Sequence, residues 1–469
     1  MLKVIPLPLL VLFLFTGCLS QSPSLHGADK PEPEESRAVE KSDDWRIELE
    51  RLQSMGDTVG LLSLLDEHKD ELEGEMSTLY LSLLMADSRL EEAELLGAQL
   101  LDEKPDDVNV LYMNALIYDM EGRGEEADTL IQKAYGLDNT NPDVNLYLAE
   151  MELRKKDYKG ANEYLGVVLE REPENFSALV AKADVLMHLG KGNDDLNEKF
   201  LADAVKVLDK VEEIAPDYVY TYVDRSRALT VLGQTTRAMR DLNKAVELEP
   251  DVEWHYLDRL VLNLKYFGWL DRAVEDIKSI EAINPNNLFA HIYAAGVYDD
   301  LKEYDLALEY YEKVMAARPD YAYSYEGAGK IYYMNEEYDK AESCFLKSYE
   351  LIYPYEGFIL MAALAMKNQG KNFEAKELLT ESGKGLDRES LTYEVFRYMK
   401  DGGSDYFISG EIARETDKDE RNKAWFYLGE MYLLQDSPRS AQAAFLNLSE
   451  EDGYLEADIA NWHNRGVDE

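Results

Sequence analysis

Apolar residues recur along this chain at helical spacing. In the segment KAWFYLGEMYLLQDSPRSAQAAF, Trp425, Leu428 and Tyr432 stand at i, i+3 and i+7 and therefore share one helix face. Ala441 and Phe445, at i and i+4, open a second stripe. Gly429 and Ala441 are small where the first helix would cross the second, and small side chains let two backbones approach closely. The pattern predicts a helical hairpin, and one hairpin leaves its apolar face wet, so further copies are required.

The copies are present. With the hairpin alanine as marker, Ala93, Ala127, Ala161, Ala204, Ala238, Ala273, Ala307, Ala341 and Ala375 follow at intervals of 34, 34, 43, 34, 35, 34, 34 and 34. Pro216, Pro250, Pro285, Pro319 and Pro354 form a second register at 34, 35, 34 and 35, as expected where a proline closes a helix by removing a donor. Segments such as FAHIYAAGVYDDLKEYDLALEYYEKVMAARPD carry most of the hairpin signature. It resembles the tetratricopeptide repeat, in which Trp-x2-Leu-Gly-x2-Tyr precedes Ala-x3-Phe and Pro on a 34-residue period. The resemblance implies an all-α fold, a right-handed α-solenoid of about 10–12 tetratricopeptide or tetratricopeptide-like helical hairpins.

Read in that register, residues 43–73 form an N-terminal capping helical pair, and 74–386 the array with a nine-residue insertion at 191–199. Residues 387–421 form a degenerate helical pair, 422–452 a last repeat, and 453–469 a capping helix and tail. The caps are marked by stripes at i, i+4 and i+7, Trp45, Leu49 and Leu52 in front and Leu455, Ile459 and Trp462 behind. Atypical ends of this kind shield the open core of a repeat stack.

The first 17 residues predict a lipoprotein signal peptide. Lys3 is followed by 12 apolar residues, Val4 to Phe15, which suits a signal segment and falls short of the roughly 20 a membrane helix needs. Phe15-Thr16-Gly17-Cys18 resembles the bacterial lipobox, with Phe15 where leucine is usual. The resemblance implies diacylglycerol attachment, palmitate included, at Cys18. Leu19 follows rather than the aspartate that signals inner-membrane retention in similar systems, so the expectation is a lipid-anchored envelope protein on the outer membrane, facing the periplasm. Residues 18–42, rich in Pro, Ser and Glu, predict a disordered acidic tether spanning about 25–30 Å.

Charge narrows the partners. With 94 acidic and 49 basic residues the net charge is −45, and the chain has no basic stripe of the kind nucleic acid requires. The same sign disfavours anionic lipid surfaces, leaving the lipid anchor as the route to the membrane. Chemistry is not signalled either. Six scattered histidines include no metal spacing, no phosphate-binding or nucleophile-elbow motif occurs, and Cys344 reads as a small core residue. No catalytic residue, metal or cofactor is expected.

The resemblance further implies a concave groove lined by the second, fifth, sixth and ninth positions of each repeat. At the second position four successive repeats carry Tyr220, Trp254, Phe289 and Tyr323, an aromatic ladder. Tyr112, Tyr147 and Tyr293 occupy fifth or sixth positions, and Arg227 and Lys330 ninth positions. The lysine and asparagine that clamp a peptide carboxylate in the chaperone-binding members of the family are absent, so a mid-chain segment or a protein surface fits better. The expected partners are envelope proteins or peptide segments bound by a scaffold. The alternative is a solute- or glycan-binding accessory, for which Asp224 and Asp258 at sixth positions would supply polar groups between the rings.

Overall fold

The computed structural model describes residues 44–191, 197–352, 355–448 and 455–465. The signal segment, Cys18, the tether and Pro354 lie outside the described residues. The fold is all-α, and the chain divides into two compact units, one up to Gly233 and one from Gln234 onward. No described helix is long and apolar enough to cross a membrane.

The first unit opens with α1 (Asp44–Met55) and α2 (Thr58–Glu67), on which Trp45, Leu49, Leu52, Leu61 and Leu65 are buried together. Regular hairpins follow: α3 (Glu75–Ala86) with α4 (Leu90–Glu103), α5 (Val108–Met120) with α6 (Gly124–Leu137), and α7 (Pro142–Arg154) with α8 (Tyr158–Arg171). Next come α9 (Phe176–Lys191), α10 (Glu198–Ile214) and α11 (Val219–Val231). α9 and α10 run to 16 and 17 residues where α7 and α8 have 13 and 14. The ends of the 191–199 insertion thus lengthen both helices, and Asn197 N–H bonds back to the Gly190 carbonyl at 2.9 Å.

The second unit begins with α12 (Thr235–Leu248), then α13 (Glu253–Leu262), α14 (Leu270–Ile283), α15 (Leu288–Asp300), α16 (Tyr304–Ala317), α17 (Ala322–Met334) and α18 (Tyr338–Leu351). It continues through α19 (Glu356–Asn368), α20 (Asn372–Ser382), α21 (Leu391–Asp401), α22 (Asp405–Arg414), α23 (Lys418–Leu434), α24 (Pro438–Phe445) and α25 (Leu455–Arg465). The degenerate window therefore holds a short helix pair, and the last repeat starts four residues before the expected 422 boundary, at Lys418. The 35-residue step also has a location. α13 runs into a π-helical turn, Asn263–Phe267, which absorbs one extra residue without breaking the helix. Asn263 is buried there, its side-chain amide donating to Asp276 Oδ2 at 3.0 Å.

Packing follows from the small residues. All nine marker alanines are 0% exposed. A Cβ on Gly429 would lie 2.4 Å from Phe445 Cε1, so the glycine is what lets α23 and α24 cross. The hairpin turns repeat as well. The second residue after the first helix is left-handed at Ser88, Gly122, Lys156, Gly233, Lys302, Glu336, Gly370 and Asp436. The next N–H then bonds five residues back, as in Arg123 to the Tyr118 carbonyl at 2.7 Å and Glu303 to that of Tyr298 at 2.9 Å. This is the Schellman closure, which satisfies carbonyls the helix end would otherwise orphan.

Candidate functional site: an exposed aromatic face

Each ladder residue is the second residue of its helix. Tyr220 stands on α11 in the first unit, and Trp254, Phe289 and Tyr323 on α13, α15 and α17 in the second. A recurring tie sets the first turn of three of these helices, α11, α13 and α15. The fourth residue reaches back to the carbonyl of the preceding proline, through Tyr222 to Pro216 at 2.7 Å, Tyr256 to Pro250 at 3.0 Å and His291 Nε2 to Pro285 at 3.0 Å. With the fourth position turned to the loop, the second projects away from the core. Tyr220, Trp254, Phe289 and Tyr323 are 45%, 51%, 50% and 62% exposed, whereas Tyr298, Tyr310 and Tyr332 of the same repeats are buried.

Within the second unit the rings keep company. Trp254 and Phe289 lie 6.0 Å apart between centroids with planes at 59°, a separation at which aromatic pairs attract. Tyr323 leans on Tyr321 at 5.7 Å. In the first unit Tyr220 leans on Tyr218 at 5.5 Å. In the second unit the result is three half-exposed rings on consecutive first helices, and Tyr220 is a further exposed ring on the first unit.

The other sequence candidates separate. Tyr293 is half-buried against the core of the second unit. Arg227 is exposed, with its guanidinium 3.4 Å from Asp224, and burial pushes the Asp224 carboxyl up despite that neighbour. Tyr112 and Tyr147 are buried in the first unit and serve its packing. Lys330 is a correction. Rather than an exposed groove cation it is 6% exposed, donating to Asp299 Oδ1 at 2.8 Å and to Asp458 Oδ2 at 2.7 Å. The physical reason is α25, which folds back over α17 and brings Asp458 with it. Burial pulls the Lys330 pKa down, the two carboxylates outweigh it, and the ammonium ends above its ordinary value.

His255 and His291, on the first helices of adjacent repeats, are engaged separately. His255 Nε2 lies 2.9 Å from Glu249 and His291 binds the Pro285 carbonyl. Among the described residues no group of His, Cys, Asp or Glu suits a metal ion. Cys344 is buried, and its thiol is pushed up to about 11, the opposite of what a nucleophile needs. Sequence reasoning missed the exposed rings of Phe373 on α20, and of Tyr406 and Phe407 on α22, the last two falling where the repeat signature fades and no register marks them.

The chain is similar to known repeat proteins. A tetratricopeptide repeat family model matches residues 295–354, and a model of the TT21 fifth ARM repeats domain matches 142–254. The TPR repeat-containing protein YpiA of Bacillus subtilis is 20% identical over 345 residues, covering 66% of this chain and 81% of that protein. Among solved structures, a tetratricopeptide repeat protein of Parabacteroides merdae is 17% identical with a TM-score of 0.37, covering 55% of this chain and 97% of its own. Pseudomonas aeruginosa pilF is 16% identical with a TM-score of 0.38, covering 47% and 96%. Tetratricopeptide repeats in this chain thus rest on its own 34-residue registers, the matching repeat model and a relative built of such repeats.

Proposed function

We propose that the protein is a non-enzymatic, lipid-anchored scaffold of the bacterial cell envelope that binds protein partners through its exposed aromatic face. One observation carries the reading: the second residue of four first helices is aromatic and 45–62% exposed, in a chain that buries the aromatics serving its packing. Exposed aromatics are the residues most often responsible for interface energy, because they bury a large rigid area at small entropic cost. The partner is a mid-chain segment or a protein surface, since the lysine and asparagine of a carboxylate clamp are absent from the repeats.

A glycan reader would keep free polar groups between the rings. Beside Tyr220 and Trp254 the sixth positions are Asp224, which lies 3.4 Å from Arg227, and Asp258, but beside Phe289 and Tyr323 they are Tyr293 and Gly327, so carboxylates accompany only half of the rings and the protein-binding reading is preferred. The test is copurification from crosslinked envelopes with the double variant Trp254→Ala, Phe289→Ala, which should lose a specific partner; an unchanged partner set at unchanged stability would sink the reading. The anchor is tested separately. Cys18→Ser should move the protein out of the detergent phase of Triton X-114, and continued partitioning with detergent would rule out lipidation at that residue.

A further inference from the structure

The aromatic ladder stops at a pocket. The second residue of α19, 34 residues after Tyr323, is Gly357. A Cβ there would stand 2.7 Å from the Tyr355 ring and 3.1 Å from Glu456 Oε1, so the series of rings ends where the backbone comes close to both. Beside Gly357, residues of α19, α21 and α23 line a pocket of about 130 Å³. Leu360, Leu391 and Val395 form its apolar wall, all three buried. The space approaches the ~150 Å³ that holds a benzene-sized guest, which is room for one side chain.

The charges of the lining do not balance. Glu356 and Glu420 line the pocket together with Lys423, and Glu456 of α25 closes its inner end, 0% exposed. Lys423 is turned over the Tyr355 ring, its ammonium 5.1 Å from the centroid. One ammonium thus serves a lining that holds three carboxylates. Glu456 Oε1 accepts from the Tyr427 hydroxyl at 2.6 Å, while Oε2 has no hydrogen-bond partner among the described residues. A buried acceptor left in that condition costs free energy that an added donor recovers. Burial pushes the carboxyls of Glu420 and Glu456 above their usual range, and Glu415, Asp417 and Glu356 push Glu420 further, as expected of acids short of positive charge.

A guest that fits has a slender apolar stem and a positive end rich in donors. Lysine has both, a flexible four-carbon stem and three N–H donors with no acceptor. We propose that this pocket takes a lysine side chain of the partner segment bound on the aromatic face, an inference that rests on the protein-binding reading above. The stem lies on Leu360, Leu391 and Val395, and the ammonium sits among Glu356, Glu420 and Glu456. Packed helices lie about 8–10 Å apart and an extended chain advances about 3.3 Å per residue. The lysine therefore stands about three residues from the partner residue that meets Tyr323.

The test titrates the full chain with Nα-acetyl-lysine N-methylamide, followed by saturation-transfer NMR. A ligand of that size should bind with a Kd of about 1 mM. The norleucine diamide, which keeps the stem and loses the ammonium, should bind at least about tenfold more weakly. Glu420→Lys, at an exposed position, should cost at least about tenfold, and Glu456→Gln at least about threefold, with circular dichroism checking that both variants are folded. n-Butylamine, an ammonium with no peptide backbone, should bind more weakly than the lysine diamide. No binding of that diamide, equal binding of the norleucine diamide, or no loss in Glu420→Lys overturns the proposal. Butylamine binding as tightly as the diamide overturns the assignment to a protein segment in favour of a free amine. The double variant Trp254→Ala, Phe289→Ala should leave this titration unchanged, so the pocket and the aromatic face can each fail without the other.

Discussion

Replacing Trp254 and Phe289 by alanine should cost less stability than replacing one buried phenylalanine, and the exposures set the size of the difference. Removing a fully buried large apolar side chain forfeits a transfer term of about 1.5–3 kcal/mol. The total for a buried aromatic reaches about 3–5 kcal/mol, because an unfilled cavity remains. Trp254 and Phe289 are 51% and 50% exposed, so about half the transfer term is at stake and water fills the space they leave. That gives about 1 kcal/mol each, with about 0.5–1 kcal/mol more, counted once, for the ring contact at 6.0 Å. The double variant should lose about 2–3 kcal/mol. Phe345 is 0% exposed and packs over Gly329, where an added Cβ would stand 2.9 Å from its ring. Phe345→Ala alone should lose about 3–5 kcal/mol.

The assay is urea unfolding followed by far-ultraviolet circular dichroism, with native-state hydrogen exchange on α13 and α15. The second measurement matters because a chain of two compact units need not unfold in one step, and a single midpoint then mixes two events. If the double variant loses as much as Phe345→Ala, the rings are structural supports, and the argument from exposure to binding fails.

Other outcomes follow from the turns, the crossings and the buried acids. Lys156 and Glu336 are left-handed at φ 62° and 64°; glycine there should stabilise by about 0.5 kcal/mol, since relief of about 1–2 kcal/mol of steric cost outweighs the looser unfolded chain, and a lower urea midpoint would refute it. Gly296 lies within α15 with open space, nothing within 4 Å, where a Cβ would stand, so Gly296→Ala should add about 0.5–1 kcal/mol, while Gly429→Ala, 2.4 Å from Phe445, should cost about 1–3 kcal/mol. Equal midpoints for the two variants would contradict the packing described. Burial pushes the carboxyls of Asp143, Glu150, Asp224, Asp276, Asp300, Glu326 and Glu456 above their usual range. Groups raised in the folded state stabilise in acid and lose that contribution as pH rises from the ordinary carboxylate range of about 4 through their folded values, so Tm should be higher at the acid end of that window than at neutral pH, and Glu456→Gln should flatten the difference. A Tm that falls steadily on acidification over that window would show that the raised carboxyls do not govern stability.

What could be read beforehand and what could not divide along one physical line. The alanine at each helix crossing was legible because its constraint is local: two helices of one hairpin approach closely, and at 0% exposure any larger residue collides. The second-position rings were legible for the same reason, since a helix start fixes which way its second residue points. Lysine and glutamate at Lys302 and Glu336 hid the turns, because the packing of two helices outweighs the small cost of a left-handed non-glycine residue. The extra residue between Ala238 and Ala273 showed in the spacing, but its absorption in a π turn depended on Asn263 finding buried Asp276, a tertiary contact. Lys330 marks the limit. Its ninth-position register predicted an exposed cation, and it is buried because Asp458, 128 residues away, arrives on α25. A repeat period reports only what each hairpin does to its neighbours, so it is silent about which distant helix comes to lie against a given position.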